Sequence, residues 1–190
     1  MVLVDVMSQL CATAGSPFEA FNEFFHVVIP DSVLITKAVP SSPNSTASLK
    51  PKKKRPDFAF RPKVSPAGVN ALYHAIFVEA KIIEPLKTMG WYVGTGLSRF
   101  TSGAYAWSMS QGIMLGYLRH PTQKLPNALA GHFNLPGKRQ EYSVLTDPKV
   151  CSFSQTEMPM HESSHGRDWV YVDTQKDPGP IQVFHLWLQV

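Results

Sequence analysis

The sequence predicts an α/β (α+β) domain in which helices flank a mixed central β-sheet. Three observations predict this class: an apolar stripe at helical spacing after residue 17, several short runs of β-branched and aromatic residues, and a second apolar pattern after residue 103. The order is helix, three strands, helix and further strands, which is typical of layered domains. With 190 residues, of which 44% are hydrophobic and 17% charged, residues 1–190 are expected to fold as a single domain.

The first third of the chain contains one predicted helix and three predicted strands. The helix covers residues 17–29, since Phe18, Phe21, Phe25 and Val28 recur at spacings of three and four and Pro30 ends the pattern. The strands cover residues 32–39, the run from Phe58 and residues 72–83. Residues 40–55 are polar and proline-containing, and we expect a flexible basic loop there.

A second predicted helix covers residues 103–119, where Tyr105, Met109, Ile113 and Tyr117 repeat every four positions. Gly112 and Gly116 would weaken an isolated helix, and we interpret them as places where it lies close against a sheet. Three further strands are predicted at residues 141–146, 168–173 and 181–190.

Composition restricts the expected location and partners. The formal net charge of +4 suits a polyanionic partner but is too small to identify one. No apolar run approaches the ~20 residues that span a bilayer, so no membrane association is expected. Cys11 and Cys151 are the only cysteines, and two free thiols in a reducing compartment are the simplest interpretation. We therefore expect an intracellular protein, with the cytoplasm favoured.

Two of the strand-like runs carry charged residues that could meet. Asp57 follows Pro56 at the start of one run, and Glu79-Ala80-Lys81 lies in another. Because side chains alternate along a strand, Glu79 and Lys81 share a face. If the runs pair, Asp57 joins them, and two carboxylates with an ammonium can hold a divalent metal beside a phosphate and activate a water molecule.

Pro56-Asp57 and Glu79-Ala80-Lys81, in this order of elements, resemble the motif of the PD-(D/E)XK, or restriction-endonuclease-like, nuclease superfamily. The resemblance covers about residues 17–120. It implies a restriction-endonuclease-like core and a nuclease that uses Mg²⁺ or Mn²⁺ to hydrolyse phosphodiester bonds, with DNA favoured over RNA. A homodimer would be needed to cut both strands in one encounter.

The resemblance also implies roles for individual residues. Asp57, Glu79 and the backbone carbonyl of Ala80 would be metal ligands, and Lys81 would orient the attacking water. Glu23 is preferred as an additional acid that reaches the metal through water, while Glu19 is better explained as a helix-capping acid. Gln111 would lie near the site as a further catalytic residue.

Two other functions stay open. A nucleic-acid-binding or scaffold module on the same fold, without catalysis, would carry the same residues. The string His161-Glu162-Ser163-Ser164-His165 also matches the H-E-x-x-H motif of zinc proteases, which requires a helix. Pro159 and Gly166 flank the string and favour an extended segment instead, which would put His161, Ser163 and His165 on one face.

Several cations are candidate phosphate contacts. Lys52, Lys53, Lys54 and Arg55 would bind a phosphate backbone, act as a nuclear-import signal or remain solvated. Arg99 would grip a phosphate or serve as a helix-capping cation, and His165 and Arg167 would touch substrate phosphate or lie on an exposed edge. His185, in the apolar last strand, is expected to be a hydrogen-bonded structural histidine.

Overall fold

The computed structural model describes residues 18–21, 35–37, 56–62, 67, 75–104, 109–119, 125–152, 159–171 and 174–190. Nine strands lie in these ranges: β1 (Phe18–Phe21), β2 (Ile35–Lys37), β3 (Phe58–Pro62), β4 (Ile76–Ile83), β5 (Gln111–Leu118), β6 (Val144–Val150), β7 (His161–His165), β8 (Trp169–Tyr171) and β9 (Ile181–Gln189).

Seven of these strands form a mixed sheet in the order β1-β3-β4-β5-β9-β7-β6. The pairs β4/β5 and β5/β9 are parallel, and the remaining neighbours are antiparallel. β2 and β8 form a separate antiparallel pair. The described part of the chain therefore has a mixed sheet with a few helices, which is an α+β architecture.

One helical segment crosses the face of the sheet between β4 and β5 in the chain. It consists of α1 (Met89–Tyr92), a π-helical turn (Val93–Leu97) and α2 (Ser98–Thr101), which follow one another directly. Further along the chain come α3 (Leu125–Phe133) and α4 (Lys138–Glu141). No helix within the described ranges is both long and apolar enough to cross a bilayer.

The hydrophobic core lies between these helices and one face of the sheet. It is built from Tyr92, Val93, Leu97, Phe100, Leu129 and Phe133 of the helices and from Phe77, Met114 and Val183 of the strands, all at most 1% exposed. Gly112 and Gly116 permit the close approach of their neighbours, since an added Cβ would lie 2.5 Å from Cε1 of Phe100 and 2.4 Å from Cδ1 of Trp187.

Both predicted helices are wrong where the structure describes them. Residues 18–21 of the first form strand β1, which pairs with β3, and the rest of that helix lies outside the described residues. The second ends in strand β5 (Gln111–Leu118). Gly112 and Gly116 do allow their neighbours to approach closely, but they lie on a strand, so the interpretation that a helix packs on the sheet through them is wrong.

The strand predictions are confirmed in the main. β2, β3, β4, β8 and β9 overlap the predicted runs, and β7 is extended as the flanking proline and glycine suggested. The strand predicted over residues 141–146 begins later, because Glu141 ends α4 and β6 starts at Val144. The polar loop at residues 40–55 lies outside the described residues.

Candidate metal site at the end of strand β4

Asp57 occupies the position where strand β3 begins beside β4. β3 pairs with β4 only over Ile76–Val78, so the following residues of β4 extend beyond it. The amide N–H of Asp57 donates to the carbonyl oxygen of Val78 (3.0 Å), and Oδ2 of Asp57 accepts the N–H of Ala80 (2.7 Å). The carboxylate thus occupies the place of a strand carbonyl next to the Glu79-Ala80-Lys81 segment.

The charge of Asp57 also acts on Tyr117 of strand β5. Burial, and then the negative charge of Asp57, raise the pKa of Tyr117 above its ordinary value. Tyr117 lies three positions after Met114, the partner of Glu79, and therefore on the opposite face of the sheet from Glu79.

Glu79 is fully buried and is held by two cations. Its Oε1 forms ion pairs with Nζ of Lys81, two residues along the same face, and with Nη1 of Arg99 at 2.6 Å. Lys81 also donates to the carbonyl oxygen of Ala80 (3.0 Å). A buried carboxylate requires such charged partners, because burial of an unpaired charge is very costly.

The helical segment that carries Arg99 lies directly over these residues. An added Cβ on Gly96 would lie 2.4 Å from Cε of Met114 and 3.3 Å from Cγ of Lys81, so glycine permits the close approach. The π-helical turn that contains Gly96 precedes Arg99. Such turns are often found at functional sites, since the extra residue changes which side chains face the partner.

The donor atoms fit a hard divalent cation better than zinc. Asp57, Glu79 and the carbonyl of Ala80 offer oxygen, which Mg²⁺ prefers, and Mg²⁺ needs only one or two carboxylates because it retains several waters. Among the described residues, no three His, Cys, Asp or Glu side chains are grouped so that they could hold a metal ion. A closed structural zinc site is therefore not formed in that part of the chain.

Gln111, predicted as a catalytic residue on a helix, is not brought to this site. It lies on strand β5 three positions before Met114, the partner of Glu79, and therefore on the opposite face. Its Nε2 donates to Oε1 of Gln182 (3.3 Å), beside a polar groove of about 370 Å³ that Glu162 also lines.

The predicted additional acids and the basic loop are not placed near the site by the described residues. Glu19 lies on strand β1 opposite Arg61, so its predicted role as a helix-capping acid is wrong. Glu23 and the run Lys52, Lys53, Lys54 and Arg55 lie outside the described residues.

His165 and Arg167 are not placed to contact a phosphate, which corrects both predictions. His165 is fully buried, and its two ring nitrogens contact the hydroxyl of Ser163 and the carbonyl oxygen of Tyr142. The guanidinium of Arg167 donates to the backbone carbonyls of Gly179, Pro178 and Met109, and it therefore fastens two loops together.

The H-E-x-x-H string is not a zinc site. Its residues form strand β7, where His161 and His165 are separated by about 13 Å of extended chain. Nδ1 of His161 contacts the carbonyl oxygen of Pro159 (3.1 Å) and Nδ1 of His165 contacts that of Tyr142 (2.9 Å). The one-turn spacing that the protease chemistry requires is absent from this segment.

A buried hydrogen-bonded chain, which sequence reasoning missed, joins β7, β9 and α1. The hydroxyl of Ser163 lies 2.8 Å from Nε2 of His165 and 2.8 Å from Nε2 of His185, and Nδ1 of His185 lies 2.9 Å from the hydroxyl of Tyr92. The prediction that His185 is a hydrogen-bonded structural histidine is confirmed. The shared face of His161, Ser163 and His165 was the available signal, but their partner strand was not evident.

Burial determines the protonation of this chain. Desolvation lowers the pKa of His165 to about 4 and that of His185 well below its ordinary value, with neighbouring histidines adding to the effect on His185. Both rings are therefore neutral at pH 7, and the chain serves packing rather than acid–base chemistry with a solvent-borne substrate.

Comparisons of this chain with protein-family models, with curated proteins and with solved structures found no match.

Proposed function

We propose that this protein is a metal-dependent nuclease of the PD-(D/E)XK type that hydrolyses phosphodiester bonds, with DNA favoured over RNA. One observation carries the proposal: where β4 extends beyond β3, Asp57 binds the N–H of Ala80 while Lys81 contacts both Glu79 and the carbonyl of Ala80. The proposal is that the carboxylates of Asp57 and Glu79, the carbonyl of Ala80 and the ammonium of Lys81 act together on one phosphodiester.

Each of these groups has a definite task in the proposed reaction. Asp57, Glu79 and the carbonyl of Ala80 would hold Mg²⁺ or Mn²⁺, which when bound neutralises phosphate charge and lowers the pKa of a water. The side chain of Lys81 is 12% exposed, whereas Glu79 is fully buried. Lys81 would orient the attacking water and stabilise the charge that develops on the phosphate oxygens.

The burial of Glu79 favours a second candidate, a nucleic-acid-binding or scaffold module without catalysis. Glu79 is fully buried, and its Oε1 already contacts Lys81 and Arg99. In a module that only binds, this cluster would remain closed and would stabilise the junction of β4 with the helical segment.

Cleavage assays distinguish the two candidates. Labelled single- and double-stranded DNA and RNA are incubated with the protein and Mg²⁺, Mn²⁺ or EDTA. The nuclease proposal predicts metal-dependent products, and a loss of at least ~100-fold in rate for Asp57→Ala and for Lys81→Ala. Salt-sensitive binding without products supports the module.

Lys87→Ala is the matched control for Lys81→Ala. Lys87 lies soon after the same strand, its side chain is 45% exposed, and it pairs with Glu84. The control removes one lysine charge outside the site and is expected to cut like wild type. If both site variants fold, as judged by thermal unfolding, and still cut at the wild-type rate, the nuclease proposal is wrong.

A further inference from the structure

The side chain of Arg99 has a position that its predicted role as a simple phosphate contact does not explain. Its Nη1 lies 2.6 Å from Oε1 of Glu79, the same oxygen that Lys81 contacts. Two cations therefore contact Oε1 of Glu79, one of the two carboxylate oxygens that could bind a metal ion. An arginine keeps its charge in proteins, so it can vacate that oxygen only by moving its side chain.

We propose that Arg99 is a positioning residue that holds Glu79 in place before metal binds and competes with the metal for its carboxylate. The inference depends on the proposed nuclease function. With a metal bound, the guanidinium would leave Glu79, turn towards solvent and bind the substrate phosphate.

The backbone that carries Arg99 is fixed, so the exchange is confined to the side chain. Phe100, the next residue, is fully buried against Gly112. The indole N–H of Trp169 donates to the carbonyl oxygen of Thr101 (2.9 Å), which fastens the end of α2. Because these following residues are packed and hydrogen-bonded, the proposed exchange requires movement of the Arg99 side chain alone.

The partial exposure of the Arg99 side chain provides a path from Glu79 towards solvent. The Arg99 side chain is 25% exposed, whereas Glu79 is fully buried. A guanidinium binds carboxylate and phosphate with the same planar arrangement of donors, so it can exchange one for the other. A lysine, as a point charge, would retain the competition but lose the bidentate geometry.

The test measures metal affinity without nucleic acid. Mn²⁺ is titrated by calorimetry into wild type, Arg99→Gln and Arg99→Lys at one pH, and cleavage is measured at saturating metal. Removal of the competing charge should tighten Mn²⁺ binding by about tenfold in Arg99→Gln, because a unit charge within a few ångströms of the ion is lost. Cleavage should nevertheless fall by about tenfold or more.

Arg99→Lys and a surface variant provide the controls. Arg99→Lys should bind Mn²⁺ within about threefold of wild type and recover part of the cleavage. Arg139→Gln removes the same charge from an exposed pair with Asp147 and should change neither property. Thermal unfolding verifies that each variant is folded.

The outcomes separate this inference from the proposed function. If wild type binds Mn²⁺ and cuts, but Arg99→Gln binds Mn²⁺ equally or more weakly, Arg99 is a structural counter-charge and only the inference fails. If Arg99→Gln does not fold, Arg99→Lys decides the question. The inference is then rejected if Arg99→Lys binds Mn²⁺ more than about threefold more weakly than wild type. If wild type and variants bind no Mn²⁺ and cut nothing, both proposals fail.

Discussion

Ser163→Ala tests the buried chain of hydrogen bonds between β7, β9 and α1. The donors and acceptors fit only one arrangement in which both imidazoles are neutral and Nδ1 of His165 donates to the carbonyl oxygen of Tyr142. Ser163 then donates to Nε2 of His165, accepts from Nε2 of His185, and Nδ1 of His185 accepts from Tyr92. One hydroxyl therefore satisfies two rings.

The expected cost of Ser163→Ala follows from what the hydroxyl leaves behind. Both histidines are fully buried, so water does not readily replace it. Nε2 of His165 loses its donor and Nε2–H of His185 loses its acceptor. Each unsatisfied buried group costs about 1–3 kcal/mol, so the loss of two should lower the free energy of unfolding by about 2–6 kcal/mol.

Urea denaturation at pH 7.5 measures this loss against Ser164→Ala. Ser164 is the adjacent residue on the same strand but lies on the opposite face, and its contact with Thr146 is made by its backbone N–H. The control should change the free energy of unfolding by no more than about 0.5 kcal/mol. Equal stability of the two variants would refute the chain as a source of stability.

Two further predictions concern pH and packing. Lowering the pH from 7.5 to 5 should reduce the free energy of unfolding by about 2 kcal/mol through His165 alone. The reason is that burial lowers the pKa of His165 from 6.5 to about 4, so the unfolded chain binds the proton first. Urea titrations at both pH values measure the change, and a constant free energy of unfolding would contradict the prediction. Gly112→Ala should destabilise the fold by about 1–3 kcal/mol, since the new Cβ meets the ring of Phe100. Gly131→Ala on α3 should stabilise the fold by about 1 kcal/mol, because no atom lies within 4 Å of the new Cβ. Thermal unfolding compares the two variants, and the reverse order of stability would be inconsistent with the packing.

The second helix prediction failed because its pattern does not distinguish the two periods. Ile113 and Tyr117 are four positions apart, which places them on one face of a helix and equally on one face of a strand. Only the neighbours decide between these, and β5 lies between β4 and β9 in parallel pairing. Tertiary pairing of this kind is not visible in a local pattern.

The helical segment over the site was missed for the opposite reason. Glycines and β-branched residues make Met89–Thr101 a poor helix by propensity, so no helix is predicted there. The buried positions Met89, Val93, Leu97 and Phe100 nevertheless recur at helical spacing. Packing against the sheet, rather than propensity, stabilises this segment.

The candidate site was predictable in part, because its core depends on local geometry. The shared face of Glu79 and Lys81 follows from strand alternation, and Asp57 meets Ala80 because the two strands pair as expected. The ion pair between Arg99 and Glu79 was not predictable, since it depends on the register of a π-helical turn that no local sequence pattern indicates.

The position of β9 has a consequence for how this protein must be made. Although β9 follows the six other described strands of this sheet in chain order, it lies between β5 and β7, paired with β5 along its whole length and with His161–His165 on the other side. A ribosome-bound chain that lacks residues 181–189 would hold a four-stranded part, β1-β3-β4-β5, and a two-stranded part, β7-β6, and the edges of β5 and β7 would be unpaired. The sheet therefore cannot be completed until this segment has been synthesised. Until then, the unpaired strand edges can associate with those of other chains.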